Sequence, residues 1–304
     1  MQLLELLRLK DFCIKQTHWT PWAPMIRNSS VPSNLETIRP SYLLGILAVT
    51  EREIVKFLRQ RERLLSAIVR PSLWLFIFAS GLQNLLGISI IEPYQTYTPY
   101  QEYILPGLCG IIVLFQCMQS ALSLVYDREA GVMRVMLISP LPRSFLLFAK
   151  ILGATILSGL QIYVFLILAA IFGYYMPLAG MLLMLPAIFL SGIMLGSIGL
   201  LITVYTRQIE NFAGMMNFVI FPMFFLSSAI YPLWKLRESG ADLLYWIATI
   251  NPFTHAVELI RFSAYGKFNA VAAAVVLGCA VIAFVLAARG YDPNHGAIGR
   301  IRRP

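Results

Sequence analysis

Charged residues are scarce in this chain of 304 residues. Asp, Glu, Lys and Arg make up 13% of it and apolar residues 58%, against about 25% and roughly 45–50% in soluble domains. Five stretches have neither a charged residue nor a histidine, namely 71–91, 103–126, 151–206, 211–234 and 268–288. Each is long enough for a helix that crosses a bilayer, which takes about 20 residues. The composition excludes a soluble domain and predicts an integral membrane protein.

The longest uncharged stretch, 151–206, has room for two spans joined by a turn near Gly173. The sequence therefore predicts an all-α integral membrane protein with six transmembrane helices. Loops rich in Lys and Arg stay on the cytoplasmic side. All but four of the 24 Lys and Arg residues fall on one side of this arrangement, the exceptions being Lys235, Arg237, Arg261 and Lys267. We therefore expect N- and C-termini that are both cytoplasmic, and we attribute the net charge of +9 to topology rather than to nucleic-acid binding.

Signals for chemistry in this chain are also few. The phosphate-binding pattern GxxxxGK[ST] does not occur, and the four cysteines have neither metal-ligand nor CxxC spacing. No ionisable residue falls within the predicted spans, although transporters driven by an ion gradient usually need one there. Glu5, Arg8 and Lys10 interrupt the opening apolar stretch, so we expect no signal peptide. We expect no catalytic residue, metal or cofactor in this chain, and a separate ATPase as the energy source.

The predicted domain organisation has four parts. Residues 1–40 contain four prolines after Thr17 and form a cytoplasmic arm. Residues 41–69 form an amphipathic interfacial helix before the first span, with a basic face opposite its apolar face. Arg70 and Pro71 end that helix, a six-helix domain occupies 70–289, and a cytoplasmic tail occupies 290–304. A solvated helix that packs on its own protein is the alternative for 41–69.

The segment between the fifth and sixth predicted spans, 235–267, is long and rich in Leu, Trp, Phe and Tyr. Asn251 and Pro252 are typical of a helix start, as N-cap and first residue. We expect short re-entrant helices here that dip into the outer half of the membrane. The last of them carries His255, Glu258 and Arg261, and we expect Glu258 and Arg261 to form an exposed ion pair.

A charged island, 127–150, separates two of the long apolar stretches. Its centre is apolar from Val132 to Ile138 except for Arg134, so a purely solvated loop is a poor interpretation. The pattern predicts a short amphipathic helix that docks on the separate ATPase. Asp127 and Glu129 would begin this helix and complement its dipole, and Pro140 would help to end it. A helix that rests on the membrane surface is the alternative.

Three motifs resemble those of ABC-2 type permeases. Residues 127–131 followed by 137–143 are similar to that family's coupling segment. Residues 217–222 and 226–232 are similar to its fifth helix, and 251–261 to its outer re-entrant helix. The motifs occur in the family's order, the resemblance covers roughly 41–288, and the exporter branch of daunorubicin-resistance and nodulation-factor permeases is the most similar. One departure is Arg134, which stands where family members commonly have an acidic residue.

The resemblance implies the permease subunit of an ABC exporter in a bacterial inner membrane. Two permease chains, as a homodimer, would assemble with two ABC ATPase subunits that hold ATP and Mg, among membrane lipids. The substrate would be amphipathic or lipid-like, such as a drug, a lipid, a lipid-linked saccharide or a hydrophobic metabolite. Coupling to the ATPase would use Asp127, Arg128, Glu129, Gly131, Arg134 and Pro140. Helices two and five would line the pathway with Gln116, Gln119, Ser120, Ser123, Asn217, Phe218, Phe221, Phe224 and Phe225.

Two other functions stay open on the residues alone. A membrane-embedded enzyme acting on a lipid-linked substrate would need acidic, basic or metal-binding side chains that converge. Its candidates are His255 and Glu258 on one side and Asp127 and Glu129 on the other. A passive channel would need a polar pore lining, for which the predicted spans offer few groups.

Overall fold

The computed structural model describes residues 42–81, 92–94, 100–131, 141–206 and 209–290, with the side chains of 61–64, 78–81, 209–210 and 213 left out. These residues form helices and turns, with no strand among them. The helices are α1 (Tyr42–Arg59), α2 (Arg61–Gly81), α3 (Tyr100–Glu129), α4 (Arg143–Ile171), α5 (Leu178–Leu183), α6 (Leu185–Tyr205), α7 (Ile209–Phe225), α8 (Leu233–Glu238), α9 (Asp242–Ile250), α10 (Pro252–Ala264) and α11 (Ala270–Gly290). The predicted all-α class is confirmed. The predicted arm, nearly all of the predicted tail and the centre of the charged island lie outside the described residues.

Four helical segments of the described chain are long and apolar enough to cross a membrane, namely Tyr100–Glu129, Arg143–Ile171, Leu178–Tyr205 and Ala270–Gly290. Shorter apolar helices cover Leu65–Ile77 and Gly214–Phe225. The stretch 211–234 does not form one continuous helix, because α7 ends at Phe225 and α8 begins at Leu233. The predicted turn near Gly173 is confirmed: α4 ends at Ile171, and Gly173 has a φ of 88°, which glycine adopts without strain. Six spans and cytoplasmic termini stay predictions.

The boundary predicted at Arg70 and Pro71 is wrong. The helix break falls at Gln60 instead, and α2 continues through Pro71 to Gly81. Proline is tolerated within helices of membrane proteins because other groups satisfy the backbone carbonyls that it leaves unpaired. The carbonyl that Pro71 leaves without its helical N–H donor is that of Ala67. The hydroxyl of Ser72 donates to the next carbonyl, that of Ile68, over 2.8 Å. Arg70 therefore lies inside a helix whose neighbouring residues are apolar, and not at a helix end.

Helix α1 has one buried face and one exposed apolar face. Val49, Thr50, Glu53 and Phe57 are buried, and the helix packs on α4. On another face, large apolar side chains are exposed, among them Leu43, Leu44, Leu47, Val55 and Leu58. Such an exposed apolar face is typical of a helix that lies in a membrane interface. The amphipathic interfacial helix over 41–69 stays a prediction.

Helix α3 forms the centre of the core. It packs on α2, α4, α6, α7 and α10, and most of its side chains are buried. Small residues of α6 allow its neighbours to come close, as is common between membrane helices. A Cβ atom added at Gly192 would lie 2.5 Å from a side-chain atom of Thr155 in α4, and one at Gly199 would lie 2.9 Å from the Cβ of Ala121 in α3. Of the predicted re-entrant segment, α8, α9 and α10 are observed as short helices. Their depth in a membrane stays a prediction.

Candidate functional site

Three cationic side chains converge on Asp127, in the last turn of α3. Its Oδ2 accepts a hydrogen bond from Lys150 Nζ over 2.7 Å. Its Oδ1 lies 3.2 Å from Arg52 Nη2 and 3.4 Å from Lys56 Nζ. Lys150 belongs to α4, and Arg52 and Lys56 belong to α1. The Asp127 carboxylate thus joins α3, its own helix, to both α1 and α4.

A second carboxylate, that of Glu53, lies 3.6 Å from Lys150 Nζ. The side chains of Glu53 and Lys150 are both almost fully buried, and Lys56 also donates to Ser123 Oγ over 2.7 Å. Removing one member of a buried ion pair leaves an uncompensated charge, which is strongly destabilising. We call the five side chains of Arg52, Glu53, Lys56, Asp127 and Lys150 the ionic cluster. It fixes α1, α3 and α4 to one another at one end of the bundle.

The position of Asp127 corrects one expectation. The sequence predicts it at the start of a helix, where it would complement the dipole, but it lies at the end of α3. A carboxylate is disfavoured at a helix C-terminus, and the cations of the ionic cluster compensate for it. Its neighbour Arg128 is also buried and donates to the carbonyls of Thr203 and Thr206 at the end of α6.

The turn after α3 is well defined. Gly131 has a φ of 73°, and its N–H donates to the carbonyl of Arg128 over 3.2 Å. A glycine in the left-handed conformation is a common way to end a helix. Glu129, unlike Asp127 and Arg128, is only partly buried. Arg134 and Pro140 lie outside the described residues, so the docking role of the segment stays a prediction.

The predicted pathway residues of α3 face other helices of this chain. Gln116 is buried and accepts a hydrogen bond from Gln161 Nε2 in α4 over 3.1 Å. Ser120 is also buried, and Ser123 accepts the bond from Lys56 described above. Gln119 lines a pocket between α2, α3 and α4. The structure therefore brings Gln116 and Gln119 to one pocket and Ser123 to the ionic cluster.

The predicted pathway residues of α7 divide into two groups. Asn217, Phe218, Phe221 and Phe225 are exposed, with Phe218 at 80%. Phe224 is buried instead, and its ring lies 5.1 Å from that of Trp74, edge to face. The polar residues of α3 and the exposed aromatic residues of α7 do not form one surface within the described chain. A shared pathway lined by both helices stays a prediction.

At the other end of α3, Arg261 of α10 lies beside an aromatic cluster that consists of Tyr94, Tyr100, Tyr103 and Tyr265. Only 2% of Arg261 is exposed, its guanidinium carbon lies 4.0 Å from the ring centre of Tyr103, and Nη2 donates to the carbonyl of Ser228 over 2.7 Å. Its Nη1 bonds Glu258. The expectation of an exposed Glu258–Arg261 pair is wrong, because the helix packs this face against α3. Burial also raises the pKa of the nearby Tyr265 hydroxyl to about 12, so that this phenol stays neutral.

The predicted start of α10 is confirmed in detail. Pro252 is its first residue, and the side chain of Asn251 accepts a hydrogen bond from the N–H of Phe253 over 3.0 Å. The Asn251 amide also donates to the carbonyls of Met223 and Leu226, so it joins α10 to the end of α7. His255 and Glu258 have different partners, since His255 Nε2 lies 3.0 Å from the carbonyl of Thr249. The two side chains do not converge on a common site.

A family model described as ABC-2 type transporter matches residues 45–265. The chain belongs to this family. The match runs from α1 to the residue that follows α10, and it includes the ionic cluster and the aromatic cluster. The predicted family is therefore confirmed, and the chain is a multi-pass membrane protein of a transporter family.

Curated relatives are named as transport proteins or nodulation proteins. A putative transport permease, ycf38, of Cyanophora paradoxa is 24% identical over 73% of this chain and 74% of its own length. Nodulation protein J of Rhizobium leguminosarum bv. viciae is 24% identical over 75% of this chain and 85% of its own length. A probable multidrug ABC transporter permease, YbhR, of Escherichia coli is 28% identical over 55% of this chain and 45% of its own length. These names support a membrane subunit of a transporter.

Sequence reasoning about this ABC-2 protein missed several polar contacts. It counted Lys150 as a loop residue, whereas the structure places it in the third turn of α4 with Glu53 and Asp127 as partners. It also overlooked Gln161, although a glutamine within an apolar stretch could have been singled out as a candidate for a polar contact between helices. Arg70 was assigned to a helix end because it precedes Pro71. The position of Lys150 directly before a predicted span was readable, but its partners were not, because Glu53 is 97 residues away.

Proposed function

We propose that the chain is the permease subunit of an ATP-driven exporter. Two copies assemble with two copies of a separate ABC ATPase, and the complex moves an amphipathic or lipid-like substrate out across a bacterial inner membrane. Family membership supports this proposal most directly. The names of the relatives, which include permeases and a multidrug ABC transporter, agree with it.

The ionic cluster supports the proposed coupling route. The segment 127–143 docks on the ATPase in this proposal, and its first residues are anchored to α1 and α4 through Asp127 and to α6 through Arg128. A displacement of the segment is therefore passed to four helices at once. Glu129 is only partly buried and Ala130 is exposed, so both can contact a partner chain at the base of the segment.

Affinity purification from native membranes tests this function. We expect a stoichiometric ATPase with its own phosphate-binding motif to accompany the chain, and we expect Gly131→Pro to weaken that association and to abolish export. Proline fixes φ near −65° and has no N–H, so it is incompatible with the φ of 73° and the hydrogen bond of Gly131.

Gly240→Pro is the matched control. Gly240 has a φ of 74°, and its N–H also bonds a carbonyl three residues earlier, over 3.2 Å, but it follows α8 at the other end of the bundle. We expect this variant to keep its ATPase. Equal loss of the ATPase in both variants would contradict docking at 127–143. A wild-type chain that purifies alone and is fully active would contradict the permease function itself.

A further inference from the structure

Arg70 is a cation within the apolar part of α2, which extends from Leu65 to Ile77. Its guanidinium carbon lies 4.3 Å from the ring centre of Phe115 in α3. Its Nη2 lies 3.4 Å from the hydroxyl of Ser66, one turn earlier. The salt bridges of the described residues do not include Arg70. Within this apolar stretch of α2, the positive charge thus contacts an aromatic ring and one hydroxyl.

The register of α3 and α4 gives the depth of this charge. Asp127 and Lys150 join the two antiparallel helices at one level over 2.7 Å, and Gln116 and Gln161 join them again over 3.1 Å. The second pair lies eleven residues along both helices from the first, which corresponds to about 16 Å. A hydrocarbon core is about 30 Å thick. With the ionic cluster at the membrane boundary, Phe115 and Arg70 lie near the middle of the bilayer.

A pocket opens beside Arg70. It is a shallow pocket between α2, α3 and α4 with a cavity volume of about 20 Å³, and because it is partly open to the outside of the chain, a bound molecule can extend beyond it. Its polar lining consists of Arg70, Ser66 and the three amides of Gln116, Gln119 and Gln161. The bond between Gln116 and Gln161 uses one donor and one acceptor of the two amides, so further hydrogen-bonding groups of that pair remain. The pocket combines one fixed positive charge with amide donors and apolar walls.

A charge at this depth is costly unless a partner compensates it, and residues of this kind usually mark a substrate or ion pathway. Arginine binds phosphate and carboxylate groups in a bidentate manner and is readily accommodated at partly desolvated sites. The surrounding side chains include Ile111, Ile112 and Phe115, which suit an apolar body. An anionic group that is attached to an apolar chain supplies both kinds of contact.

We propose that the pocket lined by Arg70, Gln116, Gln119 and Gln161 binds the phosphate or carboxylate group of an amphiphile. Arg70 pairs with the oxyanion, the amides of Gln116 and Gln161 donate to it, and the apolar body lies along Phe115 and the adjacent lipid. This proposal rests on the proposed export function and narrows its substrate class to anionic amphiphiles. It also assigns a binding role to Arg70, which precedes the predicted first span in the sequence.

Ligand-induced stabilisation of the purified full chain in a non-ionic detergent tests the pocket without ATP or a partner. The probes share a twelve-carbon chain and differ in their head group: dodecyl phosphate, dodecanoate and dodecyltrimethylammonium. We expect the first two, but not the cationic probe, to raise the melting temperature saturably. Arg70→Gln should weaken their binding about 10- to 100-fold, as expected for the loss of hydrogen bonds to a charged group.

Arg289→Gln removes an exposed arginine at the end of α11 and serves as the matched control. It should bind dodecyl phosphate as the wild-type chain does. If Arg70→Gln does not fold, Arg70→Lys and Gln161→Leu replace it, and both should weaken binding. Binding that is unchanged in the Arg70 and Gln161 variants, or equal binding of the cationic probe, would overturn the proposal.

Inorganic phosphate separates an amphiphile site from a simple anion site. We expect it to stabilise the chain far less than dodecyl phosphate does, and equal stabilisation would overturn the amphiphile assignment. The two proposals fail separately in this design. If the chain has no ATPase partner but its binding of these probes depends on Arg70, only the export proposal fails. If the chain exports as part of a complex but binds these probes independently of Arg70, only the pocket proposal fails.

Discussion

Lys150 is the most confined cation of the ionic cluster. Its side chain is 5% exposed and lies between the carboxylates of Asp127 and Glu53. If Lys150 lost its charge, Asp127 would keep Arg52 and Lys56, but the buried carboxylate of Glu53 would lose the cation that lies 3.6 Å from it. A buried charge of this kind contributes more to the free energy of unfolding than an ion pair at the surface, which typically contributes at most about 1 kcal/mol.

We predict that Lys150→Met lowers the free energy of unfolding by about 3–5 kcal/mol, the range found when one partner of a buried ion pair is removed. The measurement is the apparent melting temperature of the detergent-solubilised chain. Arg143→Met is the control, because Arg143 is an exposed cation of the same helix, and its effect should stay within about 0.5 kcal/mol. Equal melting temperatures for the two variants would show that the cluster does not stabilise the fold.

Helix boundaries were predictable where a local sequence signal begins or ends a helix. The turn at Gly173 and the start of α10 at Asn251 follow from local signals. The break at Gln60 has no comparable signal, and Pro71, which is a strong breaker in water, lies within α2 because its surroundings are apolar. Which face of a helix is buried was harder to predict, since in a membrane protein apolar residues face both lipid and core.

Helix α3 approaches the chain after α7 at a glycine. A Cβ atom added at Gly107 would lie 2.0 Å from the carbonyl oxygen of Ala229, a backbone atom. We predict that Gly107→Ala destabilises the fold by about 1–3 kcal/mol or more, as overpacking does. Thermal unfolding of the solubilised chain measures this effect.

Gly159→Ala provides the comparison on a neighbouring helix. A Cβ atom there meets nothing within 4 Å, so the change should be neutral or stabilising by up to about 0.5–1 kcal/mol, because alanine favours a helix. A Gly107→Ala chain as stable as the Gly159→Ala chain would mean that the contact between α3 and Ala229 is not tight in the folded protein.

At the scale of the whole molecule, the basic residues and the described helices favour one topology. Arg52, Lys56, Arg128, Arg143 and Lys150 all belong to the end of the bundle that carries the ionic cluster. Positive residues of this kind stay on the cytoplasmic side.

The family, the helical class and the three motifs could be predicted from the sequence. The partners of Asp127, Arg70 and Arg261 could not, because only packing brings them together.

Reporter fusions test the number of spans. We predict that a reporter active only outside the cytoplasm works after Gly240 and is inactive after Gly131 and after Gly290. Six spans with cytoplasmic termini give this pattern, since three spans would then follow Gly131 before the turn at Gly240 and one would follow Gly240. Activity after Gly290 would contradict cytoplasmic termini, and activity at all three sites would contradict the loop orientation derived from basic residues.

Helix α3 is long, and it is bonded to other parts of the chain near both of its ends. Its 30 residues correspond to about 45 Å, and it is fastened at both ends, by Lys150 near one and by the bonds of Tyr100 and Tyr103 to the carbonyls of Ile230 and Ser228 near the other. A rod of that length tilted by about 10° moves one end by about 8 Å relative to the other. Because α3 is fastened at both ends, a displacement beside Gly131 would be transmitted along it to the chain around Ser228 and Ile230.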